Sequence, residues 1–157
     1  MNPENVPAGP PPLLDRPMFT PGPRSAFRQV VFYWVPVLAY VSAIFYVSSL
    51  SSPPSPLTFE HADKLEHFAE YLLLGLLLGR ALRQSVAPFS PVAAVVMTVA
   101  LVMMVAAADE YYQMFVPGRE CDVFDWLTDS SAGVVSQVML WQLWFRLGRD
   151  RNRKVLA

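Results

Sequence analysis

Hydrophobic and polar positions fall into long separate blocks rather than a short-period alternation. Residues 30–50 form a run of twenty-one without a charge. At about 1.5 Å per residue this length matches a hydrocarbon core of roughly 30 Å and predicts a first transmembrane helix. Residues 71–79 are apolar throughout but too short to cross alone. A second span of about twenty residues has to include 65–71 at one end and 80–83 at the other. It therefore carries Glu66, His67 and Glu70 at or just beneath an interface. Residues 92–108, seventeen in a row without a charge, predict a third span that continues through Tyr111, Tyr112 and Gln113 until Pro117-Gly118 stops it. Pro88 and Pro91 bracket the turn before it. A fourth span runs from about 124 to 147. The pattern predicts an all-α integral membrane protein, a bundle of four transmembrane helices with short connections.

Outside these blocks the chain is of a different kind. Eight of the fifteen prolines lie in residues 1–23 with almost no apolar periodicity, so residues 1–28 read as a disordered Pro-rich tail that cannot bury enough surface to order itself. Residues 29–149 form the membrane domain, and 150–157 a basic C-terminal tail. Residues 51–58, with three prolines, form a loop. Pro36 is either absorbed in the first helix or kinks it. Gly75 and Gly79 make a G-x-x-x-G pair that lets another helix approach closely. The first run is longer than the core of a signal peptide and follows a long tail, so it reads as an uncleaved helix.

Composition agrees. The chain is 54% hydrophobic and 16% charged, against roughly 25% charged in soluble domains. Cys121 is the only cysteine, which excludes an internal disulfide framework and a paired-thiol metal site. Charge is sharply partitioned. Ten of the twelve Lys and Arg residues lie in the N-terminal tail, the Arg80–Arg83 turn and the C-terminal segment. The other two connections hold only Lys64 and Arg119, together with ten of the thirteen carboxylates. By the positive-inside rule both termini are cytoplasmic and the polar clusters face outward from the cytoplasmic (inner) membrane. Tyr33, Trp34, Trp141 and Trp144 suit an aromatic belt at one interface.

The candidate chemistry lies in two clusters. Asp63, His67 and Glu70 share a helical face, with Lys64 beside them and Tyr71 four residues after His67. Asp109 and Gln113 are one turn apart, with Glu110 adjacent. Arg119 follows the Pro-Gly break. Asp122, Asp125 and Asp129 line a stripe that Gly133 extends, provided the fourth helix has begun by Asp122. Ionisable groups at membrane depth are expensive and turn to the bundle interior or a wet cavity. Lys64 and Arg119 cannot neutralise all the carboxylates. That leaves raised carboxylate pKa values, a bound divalent cation at Asp122, Asp125 and Asp129, or open solvation. A solvated helix N-terminus accounts for Asp122 equally well. Tyr111 and Tyr112 read as interfacial anchors, Glu66 as surface, and Cys121 as incidental.

Asp63-Lys64-x-x-His67-Phe68-x-x-Tyr71-x-x-x-Gly75 resembles the first signature of the VanZ-like membrane protein family. Asp109-Glu110-x-x-Gln113-x-Phe115-x-Pro117-Gly118-Arg119 resembles the second. The family's later aspartate and glycine look like Asp122, Asp125 or Asp129, and Gly133. The likeness covers roughly residues 30–147. This chain departs from it in carrying Glu120-Cys121 where a small polar pair often follows Pro-Gly-Arg, which leaves the alignment of the aspartates open. The family takes its name from an accessory to glycopeptide resistance, particularly to teicoplanin. The resemblance implies an envelope membrane protein without a transferable activity.

Two functions fit these residues. In the first, the outward clusters bind or process an envelope lipid or cell-wall precursor headgroup. Arg119 and Lys64 would grip phosphate or carboxylate, a divalent cation would bridge, and His67 would serve as acid or base if transfer occurs. In the second, the chain is a scaffold or transport-linked protein whose polar cluster holds helices together. No nucleophile motif, P-loop or dinucleotide fingerprint occurs, which tilts the reading away from an enzyme. The basic C-terminus reads as an anchor for anionic lipid rather than for nucleic acid. Oligomeric state is left open.

Overall fold

The computed structural model describes residues 26–52, 62–84 and 89–155. Of the tail expected over 1–28, residues 1–25 lie outside the described residues and 26–28 open the first helix. Most of the Pro-rich loop also lies outside them. Four helices follow one another: α1 Ala26–Ser48, α2 Ala62–Gln84, α3 Pro91–Gln113 and α4 Val123–Val155. No strand occurs among the described residues.

Local chemistry sets the ends. Ser90 caps α3, its Oγ accepting from the Ala93 amide at 3.3 Å, and Pro91 occupies the first helical position, where a missing N–H costs nothing. Asp122 caps α4 by accepting from the Phe124 amide at 2.8 Å. Pro36 sits inside an unbroken α1 on its exposed side. The helix absorbs it. At 33 residues, α4 is about 50 Å long, well beyond a bilayer's roughly 30 Å of hydrocarbon. The basic stretch expected as a separate tail continues the same helix to Val155.

Around an apolar core that includes Ile44, Leu74 and Val102, the bundle exposes large apolar side chains and buries several polar ones. Val35 and Leu38 on α1, Val96 and Met104 on α3, and Val138 and Leu143 on α4 face outward. Thr98, Asp109, Asp129 and Ser136 are fully buried. Lipid around the molecule favours this arrangement, because it solvates leucine and valine but offers no partner to a polar group. α1, over Phe27–Ser48, and α3 are long and apolar enough to cross a membrane. The first turns of α2 and α4 and the last turns of α3 carry most of the polar residues described below.

α2 touches all three other helices, and α4 lies against α2 and α3. α2 and α4 start at the same end and run parallel in fixed register. Lys64 meets Asp125, His67 meets Asp129, Gly75 faces Ser136 and Gly79 faces Leu140. A Cβ on Gly75 would lie 2.8 Å from that of Ser136. A Cβ on Gly79 would lie 2.6 Å from Leu140 Cδ1. The glycine pair thus serves close approach inside the bundle. Gln137 bridges the same seam, its Nε2 donating to the Gly75 carbonyl at 3.1 Å. Gly133 turns the other way, toward Val102 of α3. At the far end Arg80 lies over Phe32 and Tyr33 (4.8 and 5.1 Å), and Arg83 lies over Trp144 (4.0 Å). These contacts bring the start of α1, the end of α2 and the later turns of α4 to one side, opposite the acidic clusters.

Candidate functional site

The two sequence clusters meet at the other end of the bundle, where α1 and α3 finish and α2 and α4 begin. Their residues divide into two arrangements.

One is a charge clamp. Lys64 Nζ is hydrogen-bonded to both Asp122 Oδ2 and Asp125 Oδ1. The exposed Asp63 carboxylate lies 3.6 Å away. Asp122 joins three elements at once: it caps α4, holds Lys64 of α2, and its own amide donates to Glu110 Oε2 of α3 at 2.8 Å. The Lys64 ammonium beside Asp122 holds its carboxyl below the usual carboxylate range. A lysine bound by two carboxylates ties the foot of α2 to that of α4.

The other is a buried polar chamber. His67 Nδ1 lies 3.3 Å from Asp129 Oδ1. Asp129 is fully buried, Asp109 is 1% exposed and Glu110 4% exposed. Gln113 Nε2 donates to Asp109 Oδ2 at 3.2 Å, and Ser48, Tyr71 and His67 lie beside the same carboxylate. The half-buried Glu70 lies within electrostatic reach of His67, Asp109, Asp129 and Arg119. Several buried atoms have no well-aligned hydrogen-bond partner among the described residues: His67 Nδ1, Tyr71 Oη, Asp109 Oδ1, Glu110 Oε1 and both oxygens of Asp129. Among the described residues no lysine or arginine forms an ion pair with Asp109, Glu110 or Asp129.

Arg119 stands at the rim. Gly118 adopts φ 84°, a left-handed conformation that suits glycine, and so completes the turn that places Arg119. Its Nε donates to the Leu50 carbonyl at 3.3 Å, which ties the α3–α4 connection to the end of α1. Tyr111 and Tyr112 are exposed, as interfacial anchors should be, and so is Cys121.

The aspartate stripe does not act as one unit. Asp122 and Asp125 turn to Lys64, whereas Asp129, one turn deeper, turns to His67. The histidine-and-carboxylate group whose ligand atoms lie within 4.8 Å of one another is His67, Glu110 and Asp129. A cation expected at Asp122, Asp125 and Asp129 would therefore compete with an ammonium already held by two of them. Asp63 shares a helical face with His67 in sequence, yet it points to solvent at the first turn of α2. Sequence reasoning missed Ser48, Ser136 and Gln137. Each lies in or next to an apolar run, where a single hydroxyl or amide carries no signal of its own.

Two grooves open beside these groups. One is lined by Asp63, Lys64, Asp122, Phe124, Leu127, Thr128 and Ser131, and encloses about 740 Å³. The other, about 210 Å³ between α3 and α4, runs past Ala107, Tyr111, Met114 and Trp126 to Glu110. Each sets polar groups next to apolar wall.

A search of curated proteins and one of solved structures returned no match. The VanZ/LLP1 family model matches residues 17–146, spanning all of α1, α2 and α3 and most of α4. With that match over most of its length, the chain belongs to the VanZ/LLP1 family, and it has two helices of membrane-spanning length and apolarity.

Proposed function

We propose that this protein crosses the cytoplasmic membrane four times with both termini inside, and that its outward end binds the polar headgroup of an envelope lipid or lipid-linked cell-wall precursor. One observation carries the binding reading: six buried polar atoms from His67, Tyr71, Asp109, Glu110 and Asp129 converge without well-aligned hydrogen-bond partners among the described residues. A polar cluster that only holds helices together satisfies its members, because each unpaired buried group costs about 1–3 kcal/mol. Unpaired groups brought together from three helices point to something that completes them. The flanking grooves, polar at one wall and apolar at the other, suit a molecule with a headgroup and a chain.

Arg119 supplies the cation at the rim, through the guanidinium nitrogens not engaged with Leu50. Lys64 is the weaker candidate for gripping an anion, since two carboxylates already hold it. The scaffold reading draws on that same clamp, and it applies to Lys64, Asp122 and Asp125 rather than to the chamber.

Arg119→Ala separates the readings. Full-length protein purified in mild detergent is expected to carry bound phospholipid or precursor, read as phosphorus per chain and by mass spectrometry. Arg119→Ala should lose most of it at an unchanged melting temperature, and should alter teicoplanin susceptibility in a bacterial host. A variant that melts markedly lower while retaining its lipid makes Arg119 structural. Topology is tested separately. A membrane-impermeant thiol reagent applied to intact cells should label Cys121 and spare a cysteine introduced at Asn152. The reverse pattern puts the chamber on the cytoplasmic side.

A further inference from the structure

Within the chamber, three side chains stand apart from the rest. His67 comes from α2, Glu110 from α3 and Asp129 from α4, and one ligand atom of each lies within 4.8 Å of the other two. His67 Nδ1 and Asp129 Oδ1 are 3.3 Å apart, and among the described residues neither has a well-aligned hydrogen-bond partner. For metal–ligand bonds of about 2.0–2.1 Å, neighbouring ligands of a tetrahedron lie about 3.3 Å apart. Glu110 has its Oε2 anchored by the Asp122 amide, while Oε1 is buried and unpartnered. Fixing one oxygen of a ligating carboxylate by a neighbouring N–H is the outer-shell support that metal sites use.

Charge points the same way. Two buried carboxylates at the C-terminal turn of α3, Asp109 and Glu110, sit where the helix dipole is already negative. Asp129 adds a third, and Lys64 is committed to Asp122 and Asp125. We propose that His67, Glu110 and Asp129 form a three-ligand site for a divalent transition-metal cation of the zinc or manganese class, with a further coordination position open toward the chamber. One imidazole and two carboxylates suit such an ion better than magnesium or calcium, which take all-oxygen shells. Three protein ligands with an open position are the pattern of a site that receives a water or a ligand oxygen. The groove between α3 and α4 that ends at Glu110 gives the ion a way in. This inference goes beyond headgroup binding and stands without it, since an ion can be held with no lipid present.

The test uses full-length protein in detergent, treated with a chelator and exhaustively delipidated. Zn²⁺, Mn²⁺, Mg²⁺ and Ca²⁺ are each titrated calorimetrically, and Co²⁺ is added as a spectroscopic substitute. One equivalent of Zn²⁺ or Mn²⁺ per chain is expected, with Mg²⁺ and Ca²⁺ far weaker. Co²⁺ should give visible ligand-field bands. His67→Ala, Asp129→Asn and Glu110→Gln should each weaken binding by more than the roughly 10–100-fold typical of outer-shell losses, and His67→Ala should shift the cobalt bands. The exposed Glu120→Gln should bind as the parent does. Asp129→Asn and Glu110→Gln keep side-chain volume, so a folding defect in His67→Ala does not decide the result. Absence of stoichiometric binding in the parent overturns the site, as does binding that all three substitutions leave unchanged. Because no lipid is present, failure here leaves the headgroup reading untouched.

Discussion

Gly75→Val is expected to break the pairing of α2 with α4 and to lower the melting temperature more than any substitution at the polar end. The two helices run parallel at a distance set by what lies between Gly75 and Ser136, where even a Cβ would be 2.8 Å from the Ser136 Cβ and 3.5 Å from the Gly133 Cα. These neighbours are the stem of a side chain and a backbone atom, neither of which can swing away. Extra carbon in a filled interior costs about 1–3 kcal/mol through forced shifts. The same shift pulls the Gly75 carbonyl from Gln137 Nε2, now 3.1 Å away, at a further cost of about 0.5–1.5 kcal/mol for the lost hydrogen bond. Because α2 touches all three other helices and carries His67 and Tyr71, the damage spreads to the chamber. Detergent melting curves and yield of folded protein measure it. A Gly75→Val protein that melts with the parent would show that the seam does not depend on this contact.

Lys64→Met is expected to give the second large loss, and its dependence on pH identifies the cause. Lys64 holds Asp122 and Asp125 together at the start of α4. Without it, two carboxylates face each other in surroundings that are already acidic. Removing one member of a fully buried pair costs about 3–5 kcal/mol. Solvent reaches this clamp (the Lys64 side chain is 26% exposed and that of Asp125 13%), so the loss should be smaller and should shrink with added salt. The folded-state pKa of Asp122 is depressed. Its contribution is therefore fully present above the ordinary carboxylate range and is lost as pH falls through the depressed value. The parent should lose stability on that acid limb, and Lys64→Met should lack it because the interaction is already gone. Identical acid limbs for both proteins would assign the pH response to other carboxylates.

Much of the architecture was legible in the chain. Residues 30–50 and 92–108 have only one inexpensive way to satisfy twenty or so backbone groups away from water, and α1 and α3 lie where those runs predict. The helical stripes also indicated which polar residues belong together along one helix. Pro117-Gly118 marked the end of α3 and the turn before Arg119, and Gly118 adopts the positive φ that such a turn calls for.

Partners across helices could not be read in the same way. Along a helix, spacing is fixed at 3.6 residues per turn, so Asp122, Asp125 and Asp129 look equivalent from the sequence. Which of them meets Lys64 and which meets His67 depends on how far α4 slides along α2. Close approach at Gly75 and Gly79 to Ser136 and Leu140, about two or more turns beyond Asp129, sets that slide. Nothing short-range in the sequence encodes the register. The same holds for Ser48, Ser136 and Gln137, whose polarity matters only because another helix brings a carboxylate or a carbonyl to them. The sequence by itself determined that polar residues would collect at one end of an apolar bundle. Only the tertiary structure decided that they divide into a satisfied clamp and an unsatisfied chamber, because the packing of α4 against α2 along the glycine seam sets which groups stand opposite one another.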